Sequence, residues 1–175
     1  MGDPKKPRKK YSTPRSSWQA DQLARELWLV GKYGLRNKRE LWTAETELSR
    51  IRNQARKLLA EPIETRVDAE KNLLRSLSRK GLIGGSPSLD DVLGLTVESL
   101  LDRRLQSMVK GKGLTPSIQA ARQAVTHGHV KVEDMRVTIP GFLVRIDVES
   151  TVRLIEGSNL AKSMEDTVPQ PPKEE

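Results

Sequence analysis

The sequence predicts an α+β protein: a helical N-terminal region beside a small domain of two helices packed on an antiparallel sheet, with a basic arm ahead and a disordered acidic, proline-bearing tail behind. Three observations predict it. Between Leu41 and Leu58 the apolar residues step by three and four, the period of a helix face. After Gly94 two more helical stretches lead into short alternating segments, the pattern of strands. Ahead of Ser16, six cations are interleaved with three prolines, a composition that cannot build a core. The chain divides accordingly into an arm (1–17), a helical region (18–96), a small domain (97–157) and a flexible tail (158–175).

The arm is expected to be disordered alone and to order on a phosphate surface, because its charges repel and its prolines break helix. Ser16 or Ser17 then caps a helix running to about Val30, with Trp18 near its start and Leu23, Leu27 and Val30 on one side. Gly31 and Gly34 punctuate it. Asn37 followed by Glu40 resembles a capping box. It opens a long helix with Leu41, Ala44, Leu48, Ile51, Ala55 and Leu58 on its apolar stripe and Pro62 as its stop. Arg50, Arg52, Arg56 and Lys57 share that helix, either in solvent or against RNA. A third helix covers Thr65 to Lys80 and ends at Gly81, whose missing side chain suits a left-handed stop. The glycines from Gly81 to Gly85 lack the preceding strand and following Lys-Ser/Thr of a phosphate-cradling loop. Ser88 to Leu93 forms a short helical turn closed by Gly94.

In the small domain, Thr96 caps a helix that buries Leu100, Leu101, Leu105 and Met108, and Lys110-Gly111-Lys112-Gly113 turns the chain. Thr115-Pro116 starts the second helix, with Ile118, Ala121 and Val125 inward and Gly128 past its end. Val130–Val132 and Arg136–Ile139 form a hairpin around Glu133-Asp134-Met135; Phe142–Val148 and Thr151–Ile155 supply two further strands.

Lys and Arg total 31 against 23 Asp and Glu, a formal charge of +8, which calls for a polyanionic partner, nucleic acid first. Without cysteine there is no disulfide, Cys-type zinc site or thiol catalysis, and His127 with His129 lacks a third ligand, so neither metal nor cofactor is expected. No run is apolar enough to span a bilayer and no secretory signal is evident, so the chain reads as cytoplasmic and free of membrane. Aromatic residues make up only 3%, so contacts should go mainly to the RNA backbone rather than to a series of base-stacking platforms.

Leu101-Asp102-Arg103-Arg104-Leu105, Ala121-Arg122-Gln123-Ala124, His127-Gly128-His129-Val130 and Arg136-Val137-Thr138-Ile139-Pro140 resemble the RNA-binding domain named for small-subunit ribosomal protein S-four. Gly2-Asp3-Pro4-Lys5-Lys6, Arg8-Lys9-Lys10-Tyr11 and the block from Lys32 to Trp42 resemble the ribosomal family itself, in its archaeal and eukaryotic form. The resemblance implies a structural constituent of the small subunit, not an enzyme. Such a protein binds a junction of helices in small-subunit ribosomal RNA early in assembly. It also implies a place near the channel through which messenger RNA enters, beside the fifth small-subunit protein, with influence on translational accuracy.

By match to the motif, Arg104 and Arg122 offer guanidinium forks to phosphates, with Arg103, Lys110, Lys112, Gln123, His127, Lys131 and Arg136 bordering the same surface. Arg122 has an alternative role, pairing with Asp102 to orient the helices. Lys5, Lys6, Arg8, Lys9 and Lys10 of the arm, with Arg36, Lys38 and Arg39, complete the expected RNA contacts. Where many relatives have Asn-Gly, the hairpin has Glu133-Asp134, so a longer or less ordered tip is expected. Two rival readings share these features: an RNA-modifying enzyme anchored by the same domain, which needs a nucleophile and base not evident here, and a helix-turn-helix DNA regulator over residues 97–126.

Overall fold

The long amphipathic stripe organises the first half of the molecule. The computed structural model describes residues 9–155 apart from 17 and 86; the expected contacts at Lys5, Lys6 and Arg8, the Ser17 cap and the tail from 158 lie outside the described residues. Helix α2 (Lys38–Ala60) buries Leu41, Leu48, Ile51, Ala55 and Leu58, with Ala44 packed at the edge of the same cluster. Around it lie α1 (Ala20–Lys32), α3 (Ile63–Arg79), α4 (Leu89–Gly94) and α5 (Val97–Asp102), which bury Leu29, Leu73, Leu77, Leu89, Val92, Leu100 and Leu101 in one core. Gly81 stops α3 at φ +70°, in the left-handed region that glycine enters without steric cost. Ser88 and Asp91 cap α4 reciprocally.

Helix α1 departs from its expected form. It begins at Ala20 after Gln19, which makes no side-chain cap bond, so Ser16 is not its cap. Leu29 is buried whereas Leu27 is 57% exposed. The helix is rotated because Glu26 points inward: its carboxylate accepts from the Trp42 indole at 3.0 Å and pairs with Lys38 at 2.9 Å. Hydrophobic periodicity has no means of registering an inward acid. Burial pushes the Glu26 pKa up, but the bonds from Trp42, Lys38 and Gln22 outweigh it and hold the carboxyl below its usual range.

The expected helix from Thr96 is two helices, α5 and α6 (Leu105–Gly111). Chain returning from Pro140 breaks it, because Leu105 N donates to the Phe142 carbonyl at 2.7 Å and Gln106 N to that of Pro140 at 3.3 Å. These donors would otherwise continue the α5 ladder; instead they begin a new helix with its first amides satisfied. Helix α7 (Ile118–Thr126) is capped by Ser117 rather than Thr115, with Ser117 Oγ accepting from Ala120 N. Strands β1 (Val130–Val132), β2 (Met135–Arg136) and β3 (Arg153–Leu154) form an antiparallel sheet in the order β2-β1-β3. The expected strand over Phe142–Val148 is reduced to one bridge, Arg104 with Leu143, followed by the short α8 (Ile146–Glu149). Leu105, Val109, Ala121, Ala124, Val125, Val130, Val132, Val144 and Val152 make the second core. The α+β class stands.

Glu40 joins the two cores. Asn37 Oδ1 caps α2 by accepting from Glu40 N, but the Glu40 carboxylate does not return to complete a capping box; it reaches across to the second half. Its Oε1 accepts from Arg122 Nη2 at 2.5 Å, and its Oε2 from Arg104 Nη2 at 2.6 Å and Arg122 Nη1 at 3.2 Å. Arg122 therefore orients helices through Glu40, not Asp102. Beside it Gln106, 1% exposed, donates Nε2 to the carbonyls of Tyr33, Gly34 and Ile118 at 3.1 to 3.2 Å and accepts from Arg122 through Oε1. Gly34 sits at φ +55°, and a Cβ there would stand 2.9 Å from Gln106 Nε2, so angle and close approach both require glycine.

Burial raises the Glu40 pKa, but the Arg122 and Arg104 bonds dominate and hold it below its usual value of 4.5. A depressed folded pKa contributes stability that is present above the unfolded value and lost as pH falls through the folded one. Glu40→Gln should therefore cost about 2 kcal/mol near neutral pH, a breached buried pair discounted for partial exposure. The gap from wild type, measured by urea unfolding, should narrow on acidification below pH 4.5; a gap constant with pH would remove the carboxylate charge from the account.

The hairpin tip is a two-residue turn, Glu133-Asp134, and not the longer or less ordered tip expected; Val132 and Met135 are direct partners across it. Its cost falls on Glu133, at φ +56°. Thr151 Oγ1 holds the strained residue in place by accepting from Glu133 N at 2.9 Å. Glu133→Gly should relieve about 1 kcal/mol of left-handed strain, less glycine's greater unfolded entropy, and raise Tm by about 1–3 °C; a lower Tm in calorimetry would contradict this.

Candidate nucleic-acid interface

Alternation along β1 sends Val130 and Val132 into the second core and Lys131 to the opposite face of the sheet. Lys131 stands directly across from Arg136 on β2 and directly across from Arg153 on β3. Three cations thus form one cross-strand row. Like charges placed opposite one another destabilise a sheet, so such a row favours an anion over its face. Arg153 is absent from the residues expected on sequence grounds, and its partner across the row is visible only once β3 is known to pair with β1. Its pairing with exposed Asp134, at 3.8 Å, is too long and too solvated to neutralise the row.

The row continues onto the end of α7. Arg136 Nη2 donates to the His127 carbonyl at 2.7 Å, and the guanidinium lies against Gly128, where a Cβ would collide with it. Gly128, at φ +73°, lets α7 end and the chain enter β1 under that side chain. Gln123 and His127 are exposed on the same helix end. Lys110, in the last turn of α6, and Lys112, just past it, are exposed, with Lys110 Nζ donating to the Pro116 carbonyl and Lys112 Nζ to that of Glu149.

The other expected cations divide by partner. Arg104, 8% exposed, and Arg122 place their forks on Glu40. Arg103 donates to Glu149 at 2.8 Å and to the Val144 carbonyl at 2.9 Å, and Lys38 pairs with Glu26. Arg36 and Arg39, at the entrance to α2, are exposed and have no carboxylate partner among the described residues. On α2 itself Arg52 donates to the Leu95 carbonyl, while Arg50, Arg56 and Lys57 are exposed.

Of the arm, Lys9 and Lys10 are described. Two residues of this stretch touch α2: Tyr11 stacks on Trp42 with centroids 6.0 Å apart, and Ser12 N donates to Thr46 Oγ1 at 2.9 Å. Lys9 Nζ sits 4.8 Å from the Tyr11 ring centroid. One aromatic ring and one amide anchor a segment whose charge and prolines predicted disorder.

No group of three metal-ligating side chains occurs among the described residues, and none of their helices is long and apolar enough to cross a membrane. A cleft of about 250 Å3 opens beside the Glu40–Arg104 pair, between Ala44, Glu47, Leu100, Gly141 and Leu143. Its lining carries no nucleophile and base in contact.

Two family models cover nearly all of the described chain. Residues 5–102 match the ribosomal protein S4/S9 N-terminal domain and residues 103–150 match the S4 domain. The chain is 53% identical over 152 residues to small ribosomal subunit protein uS4 of Ignicoccus hospitalis, covering 87% of this chain and 92% of that one. It is 49% identical over 162 residues to the protein of the same name from Hyperthermus butylicus, covering 93% and 92%. Against that of Cenarchaeum symbiosum identity is 51% over 166 residues, covering 94% and 80%. The interface is therefore built on a known scaffold, and the chain belongs to the ribosomal protein S4 family.

Proposed function

We propose that the chain is a structural constituent of the small ribosomal subunit that binds small-subunit ribosomal RNA through the phosphate backbone. The row Arg136–Lys131–Arg153 carries this reading, since it sets three cations side by side on the exposed face of a folded sheet. With Arg36, Arg39, Lys110, Lys112, Gln123 and His127 it makes up the RNA-facing set, joined by Lys5, Lys6, Arg8, Lys9 and Lys10 of the arm. Arg103, Arg104, Arg122 and Lys38 serve the same surface from within, by holding its parts in register. The division into arm (1–17), helical region (18–96), RNA-binding domain (97–157) and tail (158–175) is a functional one in this reading.

An enzymatic role has no place in it. An RNA-modifying enzyme needs a catalytic domain in addition to the RNA-binding one, and residues 5–102 are taken up by the ribosomal N-terminal domain. A DNA regulator over residues 97–126 is disfavoured by the match of residues 103–150 to the S4 domain. The finer reading is that the protein docks on a helix junction, nucleates subunit assembly, and lies near the channel where messenger RNA enters, beside the fifth small-subunit protein, so supporting accurate decoding in the cytoplasm. A rigid pair of cationic surfaces suits a junction, because folded RNA is recognised by shape and phosphate position more than by groove edges.

The test is a titration against a small-subunit ribosomal RNA transcript of Ignicoccus hospitalis over a series of salt concentrations, with chemical probing for one protected junction. Lys131→Ala should weaken binding and lower the slope of log K against log salt by about 0.7 to 0.9, the value of one phosphate contact. An unchanged slope would take the sheet face out of the interface; absence of binding by the wild type would overturn the function.

A further inference from the structure

Two of the three tryptophans stand in solvent. Trp18 is 90% exposed and Trp28 56% exposed, whereas Trp42 is held by Glu26 and stacked on Tyr11. Neither exposed indole contributes to the two cores. A single exposed ring needs no partner by itself; its charged flanks are what single out one of the two.

Trp28 is the better placed of the two. On α1, residues 25, 28 and 32 fall on one strip, because three- and four-residue steps bring side chains to the same helix face. Trp28 is therefore flanked by Arg25 on the turn before and Lys32 on the turn after. Lys32 Nζ lies 4.7 Å from the indole centroid. That position covers one face of the indole, so a base stacks there only as the ammonium moves to a phosphate; Lys32 Nζ also lies 5.2 Å from the Tyr33 ring centroid and pairs with Glu98, an exposed pair of the sort that exchanges readily with another anion. Arg25 has no carboxylate within ion-pair distance among the described residues.

We propose that Trp28 is a stacking site for one unpaired nucleobase of an RNA strand, with Arg25 and Lys32 taking the phosphates on either side of it. An aromatic face between two cations matches the repeat of a single strand, in which each base is bracketed by phosphates. The cations favour RNA over an apolar protein surface, which would leave Arg25 and Lys32 unpaired at the centre of the contact. The site lies on α1, apart from the sheet row, and adds base contact to an interface otherwise made of backbone contacts. It rests on the RNA-binding function proposed above.

The test uses the full chain, its W28A and W28F variants, and two short strands of equal length, one of oligoadenylate and one abasic with the same phosphates. Circular dichroism checks that the variants fold, as they should with the side chain outside both cores. W28A should lose about 5- to 100-fold in affinity for oligoadenylate and nothing for the abasic strand, while W28F keeps most of the affinity. Fluorescence contributed by Trp28, the difference between wild type and W28F, should be quenched by oligoadenylate alone. Equal affinity of W28A and wild type for oligoadenylate overturns the site, as does an equal loss on both strands. With the ribosomal RNA transcript, full affinity in W28A overturns the stacking site and leaves the proposed function standing; if W28A then also fails to enter the subunit, the face serves a protein instead. Failure of the wild type to bind that transcript removes both.

Discussion

A single carboxylate holds two arginines of the second half against the first, and the placement of the sheet row relative to the α2 entrance depends on it. Arg104 and Arg122 bring two positive charges to nearly the same point, an arrangement that repels itself unless an anion lies between them. Glu40 fills that position with one oxygen toward each fork, and Gln106 completes the joint with bonds to carbonyls of both halves. The geometry is demanding, since Gly34 must approach closely enough to exclude any side chain of its own. The joint ties together the two cores, whose buried residues run on from Leu101 in the first to Leu105 in the second.

Internal pairing also sorts the charge. Much of the formal +8 could be mistaken for a diffuse field over the surface, yet Lys38, Arg103, Arg104 and Arg122 each face a carboxylate inside the fold. Among the cations left exposed, the sheet row, the end of α7 and the entrance to α2 are the ones whose spacing the fold fixes. Forks suited to phosphate are equally suited to carboxylate, so a motif that supplies arginines does not tell which anion they meet.

The fold was legible where apolar spacing decides it. The α2 stripe from Leu41 to Leu58 and the Gly81 stop stand where the residue pattern placed them, and the hairpin after Val130 is present with a turn one residue shorter than Glu133-Asp134-Met135. Polar residues acting over long range were not legible. Glu26 turns α1 by pointing inward to an indole sixteen residues away, and Glu40, read as a local cap, spends its carboxylate on partners more than sixty residues on. The break between α5 and α6 is of the same kind: Leu105 and Gln106 give their amides to residues 142 and 140, and nothing in the local sequence marks the loss. Of the candidate site, the motif positions were found and their partners were not. Arg153 was missed because its place in the row depends on a strand pairing, and the low aromatic content hid that the few indoles present are mostly on the surface.

Rigidity gives the scattered cations a common purpose. A phosphate contact in isolation carries no information about its target, because every nucleotide offers the same group. Several contacts held at fixed distances from one another do carry information, since only a polymer folded to matching spacings satisfies them together without deforming. The row Arg136–Lys131–Arg153 is fixed by strand register, the end of α7 by Gly128 under Arg136, and the entrance to α2 by the same helix that carries Glu40. Loosening the Glu40 joint would leave each of these contacts chemically intact while erasing the distances between them, and the resulting protein would still bind RNA by charge but lose the means to choose one shape.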